Sequence, residues 1–171
     1  MTKAGWAFVL TASLALPGCY DFASPLDATP QLQRDGALLG EWRCLSAEPK
    51  TSEEAGTVVF SPVREREYVV ALTEDGKAAD YMSGYASAVS GGTILNLREQ
   101  DPEKLHASWT LVRYSFLLPN VVRFEVVDDD PFQETQGSPE ALRSALERLS
   151  GQPGLYEDLC ICVRVAKGSP Q

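Results

Sequence analysis

Histidine occurs once in the 171 residues, at His106, in a charged connection beside Glu103. That scarcity removes paired-histidine metal helices from consideration, and no cysteine–histidine catalytic pattern is present. A glycine-rich nucleotide loop and a nucleophile elbow are also missing, so no residue can be named to carry a reaction, and an enzyme is the least supported class. No cofactor is expected. Basic residues are few, 15 Lys and Arg against 24 Asp and Glu, and they form no cluster. A surface of net charge −9 repels nucleic acid and makes anionic lipid headgroups poor partners for the folded domain. Repeats and long low-complexity tracts are lacking. No apolar run approaches the roughly 20 residues of a membrane-spanning helix.

The nearest thing to such a run lies at the start of the chain. Lys3 is followed by an uncharged stretch from Ala4 to Leu16 and then by small or turn-forming residues up to Cys19. This is the charged, apolar and cleavage-site order of a secretory signal. Leu16-Pro17-Gly18-Cys19 resembles the lipobox of bacterial lipoproteins. The resemblance implies removal of residues 1–18, acylation of Cys19 and attachment to a membrane face. Tyr20, where an Asp would signal retention, suggests the outer membrane of a two-membrane envelope. In the alternative, an ordinary signal peptide leaves Cys19 as a thiol or a disulfide partner. Cleavage would remove one charged residue, Lys3, and take the net charge from −9 to −10.

Residues 19–37 are rich in Pro, Asp, Ala and Ser without a sustained period and read as a flexible tether. Residues 38–167 then carry strand after strand. Trp42 and Cys44 share one face of the first, with Glu41 and Arg43 on the other. The segments 57–61, 67–73, 77–89, 93–97, 107–118, 121–127 and 159–165 are rich in β-branched and aromatic residues. They are separated by turn signals such as Asp75-Gly76, Ser90-Gly91-Gly92 and Pro119-Asn120. Asp101-Pro102 can start one short helical turn. Ser138 followed by Pro139 predicts an N-cap and first turn, and Leu142, Ala145, Leu146 and Leu149 share one face of a helix over 139–149.

The last strand places Cys160, Cys162 and Arg164 on one face and Leu159, Ile161, Val163 and Val165 on the other. With Cys19 assigned to lipid, Cys44, Cys160 and Cys162 remain, and the expected disulfide joins Cys44 to either of the other two. One residue between Cys160 and Cys162 is poor zinc spacing, so no metal is expected there. If Cys44 is bridged, Arg164 faces the Trp42 ring and can stack on it. The aliphatic face then needs a cover, for which the helix is the available element. First and last strands would pair and close a barrel.

Eight strand-like segments opening on Gly40-x-Trp42 look like a small lipocalin-like, antiparallel, up-and-down barrel, here with one helix before the last strand. That family packs an arginine from the barrel's end across the tryptophan, and Arg164 is the matching candidate. The resemblance implies an interior that takes a small apolar or amphipathic ligand. Tyr68, Tyr81, Tyr85, Trp109, Tyr114 and Phe116 are candidates to line it, or to be ordinary core and cross-strand pairs. Asp128-Asp129-Asp130 offers carboxylates to calcium, but Pro131 and the spacing favour a solvated turn. The expectation is therefore an anchored envelope lipoprotein whose barrel binds such a ligand. The alternative is an accessory lipoprotein engaging another envelope protein through its outer face or a strand edge.

Overall fold

The computed structural model describes residues 21–47, 55–74, 77–100, 108–135 and 137–166. Eight strands run in chain order: β1 (Gly40–Ser46), β2 (Ala55–Arg64), β3 (Glu67–Glu74), β4 (Asp80–Val89), β5 (Gly92–Glu99), β6 (Trp109–Leu118), β7 (Val121–Val127) and β8 (Tyr156–Arg164). Each pairs antiparallel with its sequence neighbour, and β1 pairs with β8, so the sheet closes as an up-and-down barrel. One helix, α1 (Pro139–Leu149), precedes β8 with the expected boundaries. Its Ser138 hydroxyl accepts from the Ala141 amide, and Pro139 occupies the first turn, where no amide partner is lost. The Asp75-Gly76 turn and Asp101-Pro102 lie outside the described residues.

Strand alternation sorts the side chains into two cores. The interior holds Trp42, Cys44, Phe60, Tyr68, Val70, Ala86, Leu95, Leu97, Val112, Val122, Phe124 and Cys162. Phe60 stacks on Phe124 with ring centroids 5.9 Å apart and meets Tyr68 edge-on at the same distance. Gly84 allows the close approach of β4 to β5. A Cβ there would come within 2.6 Å of both the Asn96 carbonyl oxygen and a Leu97 methyl carbon.

The second core lies outside the barrel, where Ile94 of β5, Leu111 of β6 and Val127 of β7 meet Phe22, Leu26, Phe132, Leu142 and Leu146. This corrects two expectations. The stretch read as a tether is packed from Phe22 onward. Phe22 forms a β-bridge to Trp109, with both amides donating at 2.8 Å, and its side chain has no exposure. The Leu26 amide donates to Asn96 Oδ1 at 2.7 Å. Further along, Pro30 and Gln33 reach the hairpin between β2 and β3 through Arg66 and Glu65.

The helix, for its part, does not cover the aliphatic face of β8. Arg143 ties it to Asp27 at 2.7 Å and to the Ala88 carbonyl at 2.6 Å, over the opposite wall. Phe22 and Leu26 supply the apolar surface against which it packs, so Leu159, Ile161 and Val163 remain 43–47% exposed.

Candidate functional site

The joint between the first and last strands gathers most of the residues that the sequence singles out. The register pairs Trp42 with Arg164 and Cys44 with Cys162. The Arg164 guanidinium lies 4.2 Å from the Trp42 ring centroid, donates to the Leu39 carbonyl at 2.6 Å and also reaches the Ala37 carbonyl. The indole N–H donates to the Leu38 carbonyl at 2.8 Å. Gly40 adopts φ +116°, and a Cβ on it would meet the guanidinium at 3.2 Å. Both the backbone and the passing arginine therefore require glycine at the start of Gly40-x-Trp42. The joint is a clamp: three backbone carbonyls of residues 37–39 are fixed by two side chains that stack on each other.

Residues 35–39 close the lower end, where β1 begins. The Asp35 amide donates to the Tyr68 hydroxyl at 2.6 Å, and the Tyr114 hydroxyl donates to Asp35 Oδ2 at 3.0 Å. Burial, and then the neighbouring Asp35 carboxylate, push both phenols upward, Tyr68 to about 12. Neither phenol is a base at neutral pH; both are structural hydrogen-bonding groups. Sequence reading missed Asp35 as a plug because it sits among Pro, Gln and Gly with no periodicity to mark it.

Cys44 and Cys162 are joined as a disulfide, and among the described residues Cys160 is the free thiol. The Cys160 sulfur lies 3.5 Å from that of Cys162. Burial raises its pKa to about 11, so at pH 7 roughly one molecule in ten thousand carries the thiolate. Exchange with the adjacent disulfide is correspondingly suppressed, since the thiolate is the attacking species.

The six aromatic candidates divide by strand alternation. Tyr68, Tyr114 and Phe116 belong to the interior. Tyr85 and Trp109 lie on the outer wall, packed edge to face at 5.9 Å beside the N-terminal segment, and Tyr81 is exposed. Trp42, Phe60, Tyr68 and Phe124 are buried in the interior. Towards the upper end, where β1 finishes, the inward residues Val58, Leu72, Met82 and Cys160 are only half-buried. Asn96, fully buried on the outer wall, was also missed. Besides accepting from Leu26, it donates to the Ser87 hydroxyl at 2.8 Å and the Tyr85 carbonyl at 3.3 Å, and so holds the N-terminal segment in place.

On the outer face of β8 and β1, Ile161 is paired across the strands with Leu45, and Val163 with Arg43 and with Val121 of β7. Leu45, Leu159, Ile161 and Val163 are 43–54% exposed. They form one continuous apolar row rimmed by Glu41, Arg43, Arg123 and Asp158, the last two joined as an ion pair. Beside it the bidentate pair of Arg113 and Glu125, at 2.6 and 2.8 Å, is half-covered by the Tyr156 ring, 3.6 Å from the guanidinium carbon.

Asp128, Asp129 and Asp130 bring carboxylate oxygens within 4.8 Å of one another. Asp128 accepts from the Asp130 amide at 3.1 Å and Asp129 from Gln133 at 3.3 Å, so two of the three serve the turn into a short 3-10 segment. Burial, then the two neighbouring carboxylates, raise the pKa of Asp129. Cys19, Glu103 and His106 lie outside the described residues. Among the described residues no helix is long and apolar enough to cross a membrane. The chain matches no protein-family model, no curated protein and no solved structure.

Proposed function

We propose that the protein is a non-enzymatic lipoprotein of the bacterial cell envelope. In this reading lipid on Cys19 holds it at the outer membrane, and the outer wall of β8 and β1 docks onto another envelope protein. The observation that carries the docking is the exposed row Leu45, Leu159, Ile161 and Val163, an apolar centre with a polar, mixed-charge rim. Such a centre and rim is how protein interfaces are built, and contiguous apolar patches on otherwise solvated proteins mark contact sites. Closure of the barrel by β1 and β8 removes the strand edge as a route to a partner and leaves the face. The buried interior residues from Trp42 to Phe124 further favour the outside, since an eight-stranded barrel has room either for such side chains or for one small ligand.

The test compares wild type with Ile161→Thr plus Val163→Thr, because threonine keeps the β-branch while removing apolar surface. A photo-crosslinker at Leu45 in the lipidated protein should trap one envelope protein at the cell surface or in solubilised envelope. The double variant should lose that adduct while keeping its melting temperature. A domain that is recovered alone, or a variant that crosslinks as well as wild type, refutes the docking.

A second reading rests on Val58, Leu72 and Met82, inward-facing and half-buried at the upper mouth: a small apolar or amphipathic ligand seated there. Acyl compounds should then quench the emission of Trp42, and its absence at saturating acyl chain would dismiss the ligand.

A further inference from the structure

The end of the barrel that faces the membrane is set by how little chain separates Cys19 from the packed domain. Phe22 is pinned by two backbone hydrogen bonds to Trp109, the first residue of β6, and Asp21 accepts from the Ser108 hydroxyl at 2.7 Å. Phe22 is fully buried, with its ring 5.8 Å from that of Phe132. From Phe22 back to Cys19 there are three residue steps, which at full extension span roughly 10 Å. The headgroup layer of one leaflet is itself about 5–7 Å deep. A barrel of 7- to 10-residue strands stands roughly 20 Å tall once the strands tilt, so the leash cannot reach round to the lower end.

We infer that the mature protein has no flexible stalk and rests on the lipid surface by its upper rim, the Phe22–Trp109 corner against the headgroups. This rests on the reading that Cys19 is acylated. Trp109 is half-buried beside Tyr85, with the Arg98 guanidinium carbon 5.6 Å from its ring centroid, an aromatic and cationic pair suited to a headgroup layer. Carboxylates at the same rim, among them Asp21, Asp80 and Asp128, make a zwitterionic surface the better partner than an anionic one. The lower end, with residues 36–39 and the hairpins at 64–67, 89–92 and 118–121, points away from the bilayer. The exposed row on β8 and β1 then stands roughly upright, open to a neighbour lying alongside in the plane of the membrane.

The sequence supplies its own reporter. Of three tryptophans, Trp6 precedes Cys19, leaving Trp42, fully buried inside the barrel, and Trp109. The mature lipidated protein is reconstituted into phosphatidylcholine vesicles carrying a spin-label quencher at a shallow acyl position. Wild type should lose emission and Trp109→Phe should not, since its remaining Trp42 is shielded. A spacer of twelve Gly and Ser residues between Tyr20 and Asp21, roughly 20 Å in root-mean-square length, should abolish the wild-type quenching. Unquenched Trp109 in a protein whose mass confirms acylation, or quenching unchanged by the spacer, overturns the inference. A mature chain with an unmodified Cys19 overturns the anchor itself, and with it this orientation.

Discussion

Reducing the Cys44–Cys162 disulfide perturbs the fold without changing a single residue. The bridge spans 118 positions, so it constrains nearly the whole barrel in the unfolded ensemble. In the chain-entropy description a loop of that length is worth about 5 kcal/mol, against about 5–15 kcal/mol for the stability of an entire domain. With a urea slope of about 1.5–2 kcal/mol per molar for a domain of this size, the midpoint should fall by roughly 3 M on reduction. Urea titrations followed by tryptophan emission, with and without a dithiol, measure it directly. The Cys162→Ala variant sharpens the test. Cys160 stands opposite Ser46, one diagonal away from Cys44. Diagonal cross-strand Cα atoms lie about 7–8 Å apart, at or beyond the reach of a disulfide. The Cys160 and Cys44 sulfurs lie within 4.8 Å of each other, but this backbone spacing should keep Cys160 from taking over, and the variant should melt like reduced wild type whether or not oxidant is present. A midpoint shift below about 0.5 M, or a Cys44–Cys160 peptide in the oxidised variant, would refute the reasoning.

Arg164→Met should cost about 2–3 kcal/mol in urea titration, because it removes the stack on Trp42 and leaves the Leu39 and Ala37 carbonyls without their charged donor. Asn96→Ala should strand the Leu26 amide and the Ser87 hydroxyl, destabilise by about 2–3 kcal/mol and speed hydrogen exchange in residues 22–27 ahead of the strands. Burial raises the phenol pKa values of Tyr68 and Tyr85 to about 12, and that of Tyr114 also rises. The unfolded phenols ionise near pH 10 while the folded ones stay protonated, so stability is intact below pH 10. It should then fall as pH rises to 12, at up to about 1.4 kcal/mol per pH unit for each tyrosine. Flat stability from pH 9 to 11.5 would contradict it, and Tyr68→Phe should reduce the slope.

The strands, their sequential pairing and the helix were legible because each carries its signal within a few residues: alternation at Val122, Phe124 and Val126, or Ser138 and Pro139 ahead of a leucine face. The joint was legible for a related reason. Once strand alternation puts Trp42 and Cys44 on one face and Cys160, Cys162 and Arg164 on another, closing the barrel forces the two faces together. The segment from Phe22 to Ala37 was not legible. Phe22 and Leu26 are isolated apolar residues among turn formers, and each is buried by partners supplied from distant strands. Composition describes such a segment as solvated, because local pattern cannot register contacts made across 70 residues, the separation of Leu26 from Asn96. Assigning the helix to the wrong wall followed from that miss. Without Phe22 and Leu26 as surface, the only apolar face in need of a cover was that of β8.

The bare wall is consequently a matter of supply. One helix of eleven residues and one extended segment can cover three or four strands of a closed barrel, and they cover β4 to β7. β8 and β1 keep Ile161, Val163 and Leu45 exposed on their outer face, with no other element among the described residues laid upon them. Sheet propensity alone offers a reason for β-branched residues there, since cross-strand pairs such as Leu45 with Ile161 contribute about 0.2–1 kcal/mol even in solvent. That reason accounts for threonine equally well. It does not account for Leu45 and Leu159, which lack a β-branch, nor for polar residues ringing the row instead of interrupting it. A wall serving the sheet alone would carry polar residues at such positions, as Arg123 and Glu125 do on the outer face of neighbouring β7. The excess apolar surface on β8 and β1 is what a partner would bury.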